Sequence, residues 1–143
     1  MPHFSMPISA DGLIVQAVFG LHGPAVAALK HAGQPIPHPV AARAILDCGA
    51  DATAVAPHVF QSLGAVPTSP GMSQTSSGMV RVKLYRISLS IAGPVGLAFT
   101  LTDLLASELT APLPNLDALI GMDVLRQCLF VMDGPGQQFI LGF

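Results

Sequence analysis

The stretch Ile45-Leu46-Asp47-Cys48-Gly49-Ala50-Asp51 decides how the rest of this chain is read. Val40 to Leu46 is a short apolar run of the kind that makes a buried strand, and it ends on an acidic residue followed at once by a Gly turn. A carboxylate carried by a buried strand into a tight turn is held rigidly beside the core. Desolvation and neighbouring N–H donors can tune its affinity for a proton there, which suits acid–base chemistry. The same residues support a plainer reading, a strand ending in an Asx turn where Asp47 only bonds nearby backbone N–H groups.

Two other segments bear on that choice. Ala118-Leu119-Ile120-Gly121-Met122-Asp123-Val124-Leu125 repeats the design of two hydrophobics, a Gly and then a helix, with a helical turn or two predicted over Met122 to Gln127. Between the two motifs, the small polar segment Gly71 to Gly78 leads into a long alternating run from Met79 to Ile91, which predicts a hairpin with a mobile tip. Val80, Val82 and Leu84 hold one parity and Ile87, Leu89 and Ile91 the other. The buried face therefore inverts near Tyr85-Arg86, as a bulge or twist would make it do.

Gly and Pro divide the rest of the chain into short elements. Leu13 to Phe19, ending at Gly20, reads as a strand, and Ala25 to Leu29 as either a strand or a turn of helix. His31 to Pro39 contains three prolines and is a loop. Ala52 to Val55 is extended, and Pro57 to Leu63 is a short helix with Pro in its first turn and Gly64 at its end. Val95 to Thr102 is a strand, Asp103 to Asp117 a loop, and Leu129 to Met132 with Gln138 to Phe143 a closing hairpin around Asp133-Gly134-Pro135-Gly136. About eight or nine strands with one or two short helices make an all-β, closed or sandwiched fold.

A length of 143 residues implies one domain over 1–143, with N-terminal strands and a Pro-rich loop in 1–40 and the core in 41–143. Charged residues make up 10% of the chain, against about 25% in a typical domain, so an apolar interface is expected. Six Lys and Arg against eight Asp and Glu, scattered along the chain, leave no footprint for nucleic acid or an anionic membrane surface. The apolar stretch Leu13 to Leu29 is broken by Gln16, His22 and Gly23-Pro24, too soon for a membrane helix. Met1 to Ser5 lacks the basic start of a signal peptide, so a cytoplasmic location with Cys48 and Cys128 as free thiols is expected. His3, His22, His31, His38 and His58 have no metal-ligand spacing, so neither metal nor cofactor is expected. A Cys48–His58 nucleophile and base would lack both a readable oxyanion device and an orienting third group.

Taken together, Ile45-Leu46-Asp47-Cys48-Gly49-Ala50, the polar hairpin tip and Leu119-Ile120-Gly121 before a short helix resemble the retropepsin-like (retroviral-type) aspartic proteases. That family's pattern is hydrophobic-hydrophobic-Asp-Thr/Ser-Gly-Ala, a flap hairpin, then hydrophobic-hydrophobic-Gly, and the resemblance spans roughly Ala42 to Phe143. It implies an acid-protease β-barrel or sandwich with one lobe per chain, and a homodimer in which Asp47 faces Asp47 of the partner. Leu13 to Phe19 and Gln138 to Phe143 become candidate interface strands. It also implies peptide-bond hydrolysis by general acid–base activation of water, with two close carboxylates sharing one proton and neither metal nor covalent intermediate.

By the same resemblance, Asp47 is catalytic and Cys48 and Gly49 complete the active-site loop, the Gly49 carbonyl bonding the substrate backbone. Asp51 has a similar backbone-binding role, Ala50 lines a pocket, and Ser76, Ser77 and Gly78 form the flap tip that closes over the peptide. Gly121 and Ile120 back the loop, and Ile120 joins Ala50, Val80 and Val82 in an apolar cleft that favours hydrophobic side chains. Two positions depart from the family. Cys48 replaces a Thr or Ser whose hydroxyl bonds across the dimer axis, and a thiol is a weak donor and acceptor, so a looser network with lower activity or weaker dimerisation is expected. Met122 stands where viral members often carry an Arg that pairs with the second Asp, leaving Asp51 to find Arg126, Arg43 or water. The alternative is a weak or inactive member of the fold that binds extended peptides by strand addition or serves as a dimerisation module.

Overall fold

The computed structural model describes residues 1–143. In chain order it runs β1 (His3–Pro7), β2 (Ile14–Leu21), α1 (Gly23–His31), β3 (Val40–Leu46), β4 (Ala54–Val55), α2 (Pro57–Leu63) and β5 (Ser69–Thr75). It continues with β6 (Gly78–Ala92), a 3₁₀ turn at Pro94–Gly96, β7 (Ala98–Glu108), β8 (Ala118–Ile120), α3 (Met122–Leu125), β9 (Leu129–Asp133) and β10 (Gln138–Gly142).

Six strands close into a barrel. They follow the order β2, β3, β8, β4, β7, β6, and β6 pairs back onto β2, so every barrel strand has two neighbours. Closure removes the sheet edges that would otherwise present unpaired backbone groups. The alternation of period two puts Val15, Ala17 and Phe19 of β2, Ala42, Ala44 and Leu46 of β3, and Tyr85, Ile87, Leu89 and Ile91 of β6 inside. α2 covers one side with Val59, Phe60 and Leu63, and the Phe60 ring stacks on Tyr85 with centroids 3.9 Å apart. The Tyr85 hydroxyl donates to Glu108 at 3.0 Å, and burial, with that carboxylate beside it, pushes its pKa up.

β5 lies outside the barrel, paired only with β6, and the two form a hairpin from Ser69↔Leu84 to Thr75↔Gly78. β1, β10 and β9 form a separate antiparallel sheet in that order. Phe4, Phe139 and Leu141 of this sheet join the barrel residues in one core of 24 buried side chains.

Several expectations are corrected. α1 settles the open reading of Ala25 to Leu29 as helix, so there are three α-helices rather than one or two. β7 continues through Glu108 where a loop was expected from Asp103. The polar pair Thr102-Asp103 marks a bulge rather than a strand end, because β7 advances three residues for two of β6 between Ile87↔Leu104 and Leu89↔Leu101. No break occurs at Tyr85-Arg86, where pairing stays in step with β5 up to Leu84 and with β7 from Leu84 to Ile87. What changes there is which face of a continuous strand is covered, that of the hairpin or that of the barrel.

The proposed interface strands also change. β2 is bonded on both sides, by β3 and β6, and its Val15, Ala17 and Phe19 fill the barrel. β10 is the middle strand of its sheet, flanked by β1 and β9. Neither Leu13–Phe19 nor Gln138–Phe143 has an edge to offer a partner; the free edges of the small sheet belong to β1 and β9. Because Phe139 anchors that sheet in the core, Phe139→Ala is expected to cost about 3–5 kcal/mol through lost burial and a residual cavity. Urea unfolding with an unchanged midpoint would contradict this.

Candidate active site

Alternation along β3 turns Ala42, Ala44 and Leu46 inward and Arg43, Ile45 and Asp47 outward, so the strand delivers the carboxylate to the barrel surface beside the core. The chain then turns through Cys48 to Asp51, and Asp47 Oδ1 accepts the Gly49 N–H at 2.9 Å. This is the Asx-type bond of the plainer reading. It also orients the carboxylate, because one oxygen is held by the backbone while Oδ2 has no partner in the chain. Asp47 and Ala50 are partly exposed; Cys48, Gly49 and Asp51 are exposed.

The second motif holds this turn from behind. β8 runs parallel to β3, and the Asp47 N–H donates to the Ile120 carbonyl at 2.9 Å. Just beyond, the Met122 N–H bonds the Ala50 carbonyl at 2.8 Å and the Asp123 N–H the Asp51 carbonyl at 3.1 Å. Such proximity is open only to glycine at position 121. A Cβ on Gly121 would lie 2.6 Å from the Ala52 carbonyl carbon and 2.9 Å from the Ala50 oxygen, both rigid backbone atoms.

Ile120 is fully buried, so its side chain packs in the barrel core instead of lining a cleft, and Val82 is buried as well. The outward-facing residue of β8 is Leu119. It lies opposite Ile45 in the β3–β8 register and is half-exposed on the same outward face as Ile45 and Asp47. Alternation separates Leu119 from Ala118 and Ile120, but only the barrel decides which of the two faces turns inward.

The hairpin tip is a two-residue turn, Ser76-Ser77, between paired Thr75 and Gly78. The Thr75 hydroxyl donates to the Gly78 carbonyl at 2.8 Å, and Gly78 adopts φ 118°, which an L side chain rarely takes. Two concavities of the lobe lie away from Asp47. One lies by Pro70, Met72 and Arg81, the other between α2 and Leu109 to Leu116. A single lobe therefore does not enclose Asp47 in either of them.

Asp51 pairs with neither expected cation. The Arg43 guanidinium is engaged by Asp11 at 2.8 Å and by the Asn115 carbonyl at 3.0 Å, and Arg126 makes no salt bridge. Instead, the acidic partner of the loop is Asp123, which bonds buried Thr53, a contact that no reading of the sequence singled out. Cys48 and Cys128 are both free thiols; Cys128 is half-buried, its Sγ 3.4 Å from the Val124 carbonyl, and burial pushes its pKa up. No three His, Cys, Asp or Glu side chains converge where a metal could be held. Gly121→Ala is expected to leave the barrel folded while displacing the turn from Asp47 to Ala52. Amide exchange should rise in that turn alone, and unchanged exchange would refute the packing argument.

A family model described as aspartyl protease matches residues 29–124, which include the Asp47 turn, the hairpin and the Gly121 motif. The crystal structure of a retropepsin-like aspartic protease from Rickettsia conorii is similar in fold, with a TM-score of 0.58 and 19% identity over 99% of this chain and 91% of that one. The retroviral protease-like domain of Ddi1 from Leishmania major aligns with a TM-score of 0.45 and 14% identity over 86% of this chain and 83% of that one. No curated protein sequence matches the chain. With its family model covering more than half of the chain and its six-stranded barrel of the retropepsin-like fold, this protein belongs to the aspartyl protease family.

Proposed function

We propose that the chain is an aspartic endopeptidase that works as a homodimer, with Asp47 of each copy forming one catalytic pair. The observation that carries this reading is the Asp47 carboxylate itself. It is fixed by the Gly49 N–H on one oxygen, free on the other, and partly exposed at the surface of a lobe that supplies one such turn. A second copy brings the second carboxylate and the other wall of the cleft. Two carboxylates at close range share one proton, because ionising the second beside the charge of the first is disfavoured. The ionised member takes a proton from the attacking water while the protonated member donates to the scissile carbonyl oxygen. The exposed Gly49 and Asp51 lie along the peptide's path, and Ser76, Ser77 and Gly78 close over it.

Cleavage of an unstructured peptide mixture tests this. Asp47→Asn should reduce turnover by roughly 10³-fold or more, and a statine-type transition-state mimic should inhibit the wild-type protein. Cleavage that survives in Asp47→Asn would refute the mechanism. A folded dimer that binds peptides without cutting them would favour the peptide-binding alternative, which the weak thiol donor of Cys48 supports.

The dimer forms, in this reading, through the free edge of β9. Leu129, Val131 and Met132 are 50%, 40% and 61% exposed on that five-residue strand, an apolar edge of the kind that pairs with another chain. β1 is the poorer edge, since Pro7 has no N–H to donate. A Leu129→Lys/Val131→Lys variant should sediment as a folded monomer and lose peptide cleavage with its partner. A variant that remains dimeric would place the interface elsewhere.

A further inference from the structure

We propose that Thr53 and Asp123 are positioning residues that set the geometry of the Asp47 turn from within each chain. The inference rests on the aspartic-protease reading above. Asp123 lies in the first turn of α3, and its carboxylate receives three donors. They are the Thr53 N–H at 2.9 Å on Oδ2, and the Thr53 hydroxyl at 2.8 Å and the Val124 N–H at 2.9 Å on Oδ1. Thr53 is fully buried. Having given its hydrogen to Asp123, its hydroxyl oxygen accepts the Gly121 N–H at 3.1 Å, so its rotor has one orientation that satisfies both partners.

The order of these bonds matters. Every backbone tie from the Asp47–Asp51 turn to the rest of the chain goes to residues 120 to 123: Asp47 to Ile120, Ala50 to Met122, and Asp51 to Asp123. The position of the turn is therefore that of the 120–123 segment, and Thr53 with Asp123 is what fastens that segment by side-chain bonds. Charge-assisted bonds to a carboxylate are shorter and stronger than neutral ones, which suits a clamp that must hold a reacting group to within a fraction of an ångström. Cys48 gives the turn no comparable bond, since its exposed thiol has no partner within the chain. Within each lobe, the side-chain fastening behind the turn comes from Thr53 and Asp123.

The test uses the full chain and three variants. Thr53→Val keeps the shape but removes the hydroxyl, Asp123→Asn sets an amide donor against the Thr53 donors, and Thr53→Ser restores the hydroxyl. On a peptide that the wild-type protein cleaves, Thr53→Val and Asp123→Asn should lower kcat by about 10- to 100-fold with KM changed less than about 3-fold, and Thr53→Ser should recover most of the loss. Amide exchange at residues 47–52 should accelerate in the first two variants while β2, β6 and β7 keep their protection. Unchanged kcat and exchange would overturn the proposal. Loss of protection throughout the barrel, or failure of both variants to fold, would also overturn it, by making the role purely structural. If the wild-type protein cuts no peptide, or Asp47→Asn cuts equally well, the protease reading fails by itself. Exchange at 47–52 then decides the clamp, with acceleration supporting it and no change refuting it.

Discussion

Everything at the site depends on two backbone segments lying closer than side chains ordinarily allow. Gly121 lies against the carbonyls of Ala50 and Ala52, and this contact lets the Asp47 N–H reach Ile120 and the Met122 N–H reach Ala50. Those bonds satisfy backbone groups that a tight, partly exposed turn would otherwise leave to water. They also join residues more than 70 positions apart in sequence into one rigid unit. The carboxylate at its centre inherits that rigidity, with Oδ1 held by Gly49 and Oδ2 left available.

The barrel is what brings the two motifs together. β3 and β8 run parallel and side by side, a pairing that requires the long excursion through β4 to β7 between them. Closure by β6 on β2 removes the edges of the large sheet apart from β5, which pairs with β6 alone. The small sheet β1-β10-β9 then retains the other free edges, and its outer strand β9 exposes Leu129, Val131 and Met132.

Local chemistry was legible wherever a residue's role depends on its immediate neighbours. Pro57 and Gly64 bracket a helix because of what Pro and Gly do to backbone dihedrals, and α2 starts and stops there. Ser76-Ser77 before Gly78 marks a hairpin turn for the same reason. The roles that escaped are relational. Thr53 and Asp123 are 70 residues apart and become partners only when α3 packs against the exit of the turn. Thr102-Asp103 reads as the end of a strand, yet the barrel carries the strand through it by absorbing one extra residue as a bulge. Ile120 and Leu119 are both apolar, and only the inward or outward sense of a three-residue strand tells core from surface.

The amino-acid sequence by itself determined the family, the all-β class and the Asp47 turn with its Gly121 counterpart, because each is a short pattern whose residues act through local backbone geometry. The tertiary structure alone decided which strands are closed into the barrel and which keep a free edge, where Arg43 and Asp51 find or lack partners, and how Thr53 and Asp123 meet. Those outcomes depend on strand order and register. A hydrogen bond between residues far apart in the chain exists only after the intervening chain has been folded and its closure entropy offset by burial of the core.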